Sequence, residues 1–335
     1  MFTKIYDFIK RFIKDCYKEL IIIFVFALFL FVEFPYVVYT PGGTINLNKR
    51  ITISNEYKSS GDINMTYVSV AKGTLPNIIL SKILKNWDLE KSSDITLEND
   101  SVKDTFKKDK YYMKQAQDNA ALVAYRLTGK ELKVSKYHNY IIYIDKKAKT
   151  GLKEYDDIIS VNNKPVTNLD SLKQIVNSHQ ESDVLTIKVL RDNKEVITTA
   201  KVYKTTDGLK IGVAPVTNID YEADPIIKIE SKNSESGPSG GAMTCLSIYN
   251  KLTKEDITRG KIISGTGTLD EDGKIGEIGG VKYKLIGAVK AKSDIFICPK
   301  ENYEEALKVA KENNYKIKII TGDTIEEVIN ILKKM

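Results

Sequence analysis

Two glycine-rich junctions constrain this chain more than any other feature: Ser236-Gly237-Pro238-Ser239-Gly240-Gly241 and, further on, Ile278-Gly279-Gly280-Val281-Lys282. Each lies between apolar-patterned segments and opens a helical pattern. Glycine permits tight backbone geometry and close approach, and Pro238 fixes φ just before Ser239. The first N–H groups of a helix are unpaired and its dipole is positive there, so the site favours an oxyanion. Taken alone, Ser239 reads first as a helix cap. Lys282 changes that reading. It follows a double glycine in an apolar junction, and burial lowers an ammonium pKa. A neutral lysine can take a serine proton. Ser239 as nucleophile and Lys282 as base make a Ser-Lys variant of triad logic. Lys284, two residues on, reads as a neighbouring surface lysine.

The pattern around these junctions alternates. From Ile226 onward come strand, helix (Gly240–Leu252), strand (Lys261–Thr268), turn, strand (Lys274–Ile278), helix (Val281–Lys292), strand, helix, strand and helix. Such alternation predicts an α/β domain over 205–335. Residues 130–204 are β-rich, with Asp192-Asn193 as a hairpin turn and a short helix at Leu169–Asn177. Residues 40–129 form a segment of their own. It holds β-like runs at Ile45–Ser54 and Asn64–Val70, a polar loop or weak helix over 91–110, and a helix over 111–128 stopped by Gly129. In that helix Met113, Ala116, Ala120, Val123 and Leu127 share one face.

Leu20 to Val32 is an uninterrupted apolar run, extended to Tyr39 with Glu33 and Pro35 as breaks. About 20 apolar residues cross a bilayer, so 20–39 is expected to be a transmembrane anchor. Lys4, Lys10, Arg11, Lys14 and Lys18 outnumber Asp7, Asp15 and Glu19 before it. That bias keeps residues 1–19 in the cytoplasm and the remainder outside, in the cell membrane's outer space. No small-x-small site follows the run, which argues against a cleaved signal peptide. The expected architecture is thus an α+β multidomain chain with an amino-terminal transmembrane helix.

Several functions are excluded. The net charge of +7 is spread among mixed charges, with no nucleic-acid signature. His138 and His179 stand in no metal-ligand spacing, so no metal and no cofactor is expected. No GxxxxGK[ST] occurs, so no ATP site is expected. Cys16, Cys245 and Cys298 form no disulfide framework, and the last two read as core residues. Ser69-Val-Ala-Lys72 and Lys149-Thr150-Gly151 imitate penicillin-interacting motifs, but the SDN element is missing.

Residues 130–204 resemble a PDZ domain through Gly151-Leu152, Asp157-Ile158-Ile159, Val161-Asn162 and the helix starting at Asn168. The resemblance implies peptide binding by strand addition between Tyr140–Tyr143 and the 169–177 helix. The usual Gly-Leu-Gly-Phe loop is absent, with His138-Asn139-Tyr140-Ile141 near its place. Residues 205–335 resemble the proteolytic domain of the Lon proteases. Ser236-Gly-Pro-Ser239-Gly-Gly is similar to that family's nucleophile loop, with Gly240 where alanine is usual, and Gly265–Thr268 through Lys282 is similar to its lysine segment. By this match Ser239 is the nucleophile, Lys282 the base, and Thr266 a hydrogen-bond partner of the amine. The backbone at Ser236 would serve the oxyanion, with Gly237 and Gly240 in support. The whole chain resembles the SepM/YlbL-like membrane-anchored PDZ and Lon-type peptidases. This implies ATP-independent cleavage of peptide or protein substrates, with oligomerisation open. Two alternatives stand beside it: a carboxy-terminal-processing peptidase, and a non-catalytic PDZ scaffold.

Overall fold

A computed structural model describes residues 2–96 and 100–335. The side chains of Thr3 and Lys4, residue Met1, and residues 97–99 of the loop expected over 91–110 lie outside the described residues. The chain divides into two units, 1–42 with 68–102, and 43–67 with 103–335.

The amino-terminal elements are α1 (Phe2–Asp15), α2 (Tyr17–Phe31), β1 (Glu33–Asn46), β2 (Ile51–Ile53), β3 (Asp62–Thr74), α3 (Leu75–Ile83), β4 (Asp88–Lys91) and α4 (Ser92–Ile95). The first unit holds α1, α2, α3, β4, α4 and parts of β1 and β3. The helix expected over 20–39 is not found. The α2 helix ends at Phe31, Val32 is extended, and Glu33–Tyr39 is strand. Proline has no N–H to donate within a helix and disfavours helical geometry in the residue before it. The β-branched Val37 and Val38 that follow favour strand, and this stretch pairs with β4 from Tyr36↔Lys91 to Tyr39↔Asp88. Fifteen helical residues rise ~22 Å, short of the ~30 Å hydrocarbon core. No helix among the described residues is long and apolar enough to cross a membrane.

The second unit begins with α5 (Val102–Thr128), which lies in it from Lys103 onward. This helix starts nine residues before the expected 111, and Gly129 at φ +64° ends it. Then follow β5 (Glu131–Ile144), β6 (Asp157–Val161), β7 (Lys164–Pro165), α6 (Leu169–Asn177), β8 (Val184–Arg191), β9 (Lys194–Lys201), β10 (Tyr203–Thr205), β11 (Gly208–Lys210) and β12 (Val213–Asp224). A sheet forms in the order β12-β5-β6-β8-β9. Asp192 and Asn193 both have positive φ and turn β8 into β9. Asn168 and Ser171 cap α6 reciprocally. Leu172, Ile175 and Val176 of α6 pack on Ile158, Leu185, Ile187 and Ile211.

Two features of this subdomain go beyond the expected pattern. Its sheet does not stop at 204, because β12 pairs with β5 from Val213↔Ile144 to Asp224↔Glu131. Nor is Tyr140–Tyr143 a free edge, since β5 lies between β12 and β6. The segment beside α6 is Gly208–Val213, whose Leu209, Ile211 and Val213 join the α6 core.

The remaining elements are β13 (Ile227–Ile229), α7 (Gly241–Leu252), β14 (Ile262–Gly265), β15 (Thr268–Leu269), β16 (Ile275–Gly276), α8 (Val281–Lys290), β17 (Ile295–Ile297), α9 (Tyr303–Glu312), β18 (Lys318–Ile320) and α10 (Ile325–Lys334). Strands β3, β14, β17 and β18 run parallel as neighbours. Side chains alternate across a sheet. Ile295 and Ile297 accordingly join the core with α5, α7 and α10, while Phe296 and Cys298 join that with α8 and α9. The result is three layers. The first core includes Leu47, Ile51, Ile53 and Ile63 and residues 120–125 of α5. The α/β domain is therefore not confined to 205–335. Its chain leaves after α5, builds the β12-β5-β6-β8-β9 sheet, and returns at β13, which pairs with β2.

Candidate active site

The loop before α7 carries Ser239. Gly237 has φ +94°, a conformation that L side chains rarely adopt, and its N–H donates to the Asp109 carbonyl of α5 at 3.0 Å. That N–H is therefore not available to an oxyanion. Ser239 and Gly240 have N–H groups with no acceptor among the described residues. The cap of α7 is Gly240, not Ser239. Ser239 is half-buried, and its hydroxyl has no hydrogen-bond partner among the described residues. The capping reading of Ser239 is thereby removed.

Behind this loop runs the stretch from β14 to β15. The Gly267 N–H donates to the Ser239 carbonyl at 2.8 Å, and Thr266 Oγ1 donates to the same carbonyl at 3.0 Å. Gly267 in turn accepts from the Ala242 N–H at 3.1 Å. Thr266 is fully buried, so its hydroxyl must find protein partners. It finds a second one in Lys284, whose Nζ donates to Thr266 Oγ1 at 3.1 Å.

The lysine that reaches the site is Lys284, not Lys282. Helix α8 begins at Val281 after Gly280, which holds φ +70°. Val281, Lys284, Leu285 and Ala288 follow the i, i+3, i+4, i+7 spacing of one helix face. Val281, Leu285 and Ala288 belong to the core with Phe296 and Ala306, and Lys284 goes inward with them. Lys284 is 4% exposed, and burial pushes its ammonium down to about 8. Lys282 is rotated away, half-exposed, with its Nζ 5.3 Å from the Tyr283 ring centroid. The signal was present in the sequence as that spacing. Adjacency to the double glycine outweighed it.

Sequence reasoning also missed Asn302. Its buried side chain accepts from the Ile278 N–H at 3.0 Å and donates to the Ile278 carbonyl at 2.9 Å. It thereby fixes the strand end before Gly279-Gly280. Asn119 of α5 ties β15 by donating to the Leu269 carbonyl at 3.0 Å. Cys245 and Cys298 are buried, and burial pushes the Cys298 thiol up to about 12. Neither is a thiolate at neutral pH. Ser69 lies in β3, and Lys72 pairs with Glu33. Among the described residues no three His, Cys, Asp or Glu gather as a metal site.

A half-buried serine whose carbonyl is joined through one threonine to a buried lysine suits nucleophilic chemistry with an amine base. Residues 226–334 match the C-terminal proteolytic domain of Lon protease (S16). Over these residues the chain is similar to the proteolytic domain of the Lon proteases. Residues 127–202 match the PDZ domain. The Lon protease of Malacoplasma penetrans is 32% identical over 142 residues, which is 42% of this chain and 18% of that protein. The Lon protease of Trichlorobacter lovleyi is 31% identical over 97 residues, 29% of this chain and 12% of its own. The chain thus spans less than a fifth of the length of these curated relatives. The PDZ domain of an SdrC-like protein from Listeria monocytogenes is 18% identical, covering 25% of this chain and 93% of that one, at a TM-score of 0.23. The Lon-type match begins at β13, whereas the core holding Ser239 also draws on α5 and β3.

Proposed function

We propose that the chain is a serine endopeptidase that cleaves peptides or proteins with Ser239 as nucleophile and Lys284 as general base, without ATP. One observation carries this reading: a buried amine two hydrogen bonds from the Ser239 main chain, Lys284 to Thr266 and Thr266 to the Ser239 carbonyl. Neutral Lys284 takes the Ser239 proton as Oγ attacks the scissile carbonyl, and returns it to the leaving amine. The Ser239 and Gly240 N–H groups are the donors open to the oxyanion. The 335 residues contain no GxxxxGK[ST], in keeping with hydrolysis that needs no nucleotide. Peptide hydrolysis with and without ATP tests the reading on three variants. Ser239→Ala and Lys284→Ala should be inactive, and Lys282→Ala active. Activity surviving in both Ser239→Ala and Lys284→Ala would defeat it.

The PDZ domain is the docking module in this proposal. Along β12 the Ile219 N–H points away from β5, to Asp118 Oδ2 at 3.0 Å. Pro215 shares that outward direction by the two-residue period and has no N–H to offer. Peptide capture therefore falls to the Gly208–Val213 segment beside α6.

We further propose that the protein works at a membrane, with its catalytic domain outside the cytoplasm. Leu20–Val32 is apolar throughout and mostly exposed, and basic residues precede it. Co-flotation of the full chain with lipid vesicles tests the attachment. Protease accessibility in intact cells tests the side.

A further inference from the structure

We propose that a cavity between α5 and the β5/β12 face of the PDZ sheet binds an acidic stretch of the substrate polypeptide. This inference rests on the peptidase reading above and names the kind of substrate it takes. The cavity holds ≈ 450 Å³, within the ~300–1,000 Å³ of ligand sites. Its helical wall is Lys107, Lys110, Tyr111 and Lys114, spaced i, i+3, i+4, i+7 on one face of α5. Its sheet wall includes His138 and Tyr140.

The charges are not matched within the cavity. Lys114 pairs with Asp118. His138 is held by Asp157 at 2.7 Å and by Asp220 at 3.1 Å, and Asp220 is the one carboxylate on the cavity wall. Lys107 and Lys110 have no carboxylate partner among the described residues. Their ammonium groups instead lie 3.4 Å from the Tyr155 ring centroid and 5.3 Å from that of Phe106. Aromatic rings also line the cavity. Tyr111 and Tyr140 meet at 4.9 Å and 60°, and His138 stacks on Tyr140 at 5.6 Å and 4°. Two cations without carboxylate partners on a lining that also carries aromatic rings suit carboxylates flanked by a ring.

Position argues for a polypeptide. The sheet wall is the PDZ domain itself. The helical wall reaches the catalytic loop, because Lys110 follows Asp109, whose carbonyl holds the Gly237 N–H two residues before Ser239. A chain lying in the cavity contacts the docking module and the helix that anchors the nucleophile loop together.

The test uses the full chain carrying Ser239→Ala, so that peptide binds without turnover. Two fluorescein-labelled peptides of equal length are titrated by anisotropy, one with Glu-Glu-Tyr at its centre and one with Gln-Gln-Tyr. The acidic peptide should bind about tenfold tighter, ~1.4 kcal/mol, within reach of two partly exposed ion pairs. Lys107→Gln/Lys110→Gln should erase that preference, and so should raising salt from about 50 to about 500 mM. Lys107→Arg/Lys110→Arg, which keeps both charges, should retain it. Equal affinities in the parent, a preference that survives the glutamine pair, or no binding of either peptide would each overturn the proposal. Failure of the Ser-Lys reading is seen separately, as hydrolysis that persists in Ser239→Ala and Lys284→Ala.

Discussion

Lys284 Nζ donates to Thr266 Oγ1 at 3.1 Å inside the α8 core, and Thr266 passes the link to the Ser239 carbonyl at 3.0 Å. One threonine thus sets the amine and the nucleophile loop in register. Lys284→Ala should lower kcat by about 10²–10⁴-fold, the usual worth of a general base. Lys282→Ala should stay within about twofold of the parent. Thr266→Val should lose about tenfold, and Thr266→Ser should recover most of that loss. Steady-state hydrolysis of one peptide by all four variants decides the matter. An inactive Lys282→Ala beside an active Lys284→Ala would reverse the assignment.

The same burial makes the site pH-dependent. In the proposed mechanism the neutral Lys284 amine is the base, and burial brings its pKa down to about 8. kcat/KM should therefore rise about tenfold per pH unit below 8 and level off above it. The stability sign runs the other way from a stabilised charge. The folded pKa is depressed from 10.5, so the unfolded chain binds more protons between about 8 and 10.5. Stability contributed by this group rises with pH across that window, and the full penalty of about 3 kcal/mol stands below it. Lys284→Met should therefore be inactive yet more stable than the parent at pH 7, by about 1–3 kcal/mol. The gain should vanish above about pH 10.5. Urea unfolding at pH 7 and pH 10.5 measures both.

The sequence carried the α/β core well because its periodicities are strong. Helices α7 and α8 lie within two residues of their expected bounds at each end. The proposed dyad was half legible. Ser239 announces itself in a glycine-proline loop, whereas the choice between Lys282 and Lys284 depends on which face of α8 is turned toward Phe296. The 20–39 segment misled because hydropathy alone does not register Pro35, the β-branched pair after it, or a partner strand at β4. The PDZ limits expected at 130–204 lie close to the matched residues 127–202, but the insertion of that unit into the α/β core was illegible for a topological reason. The α5 helix and β13 are neighbours in space with a whole sheet inserted between them in sequence, and no local pattern marks an insertion.

Three glycines of the nucleophile loop should respond differently to alanine. At Gly240 a Cβ would meet the Met65 sulfur at 2.8 Å, the yielding part of a flexible side chain. Gly240→Ala should cost less than about 1 kcal/mol and keep activity. At Gly241 the neighbours are Leu269 Cβ at 3.1 Å, the Leu269 main-chain nitrogen at 3.2 Å and Ala116 Cβ at 3.3 Å. Gly241→Ala should cost about 1–3 kcal/mol by overpacking. Gly237 has open space but φ +94°, so Gly237→Ala should cost about 1–2 kcal/mol through backbone strain. Chemical melts rank the three, and a Gly240→Ala more damaging than Gly241→Ala would contradict the packing.

The PDZ sheet should be removable only along its true boundary. It leaves and rejoins the α/β core through paired strands, with Glu131 opposite Asp224 and Val134 opposite Tyr221. Leu132, Tyr221 and Ala223 pack against the core that holds Ser239. Replacing residues 136–219 by an Asn-Gly turn keeps this two-stranded stub and closes it as a hairpin. That chain should fold, retain hydrolysis of a short peptide, and lose affinity for long substrates. Cutting at 130–204 instead removes β5 and leaves β12 without its partner, exposing an unpaired edge. It should aggregate or melt early. If both deletions behave alike in solubility and short-peptide turnover, the inserted sheet does not owe its anchoring to the β5/β12 pair.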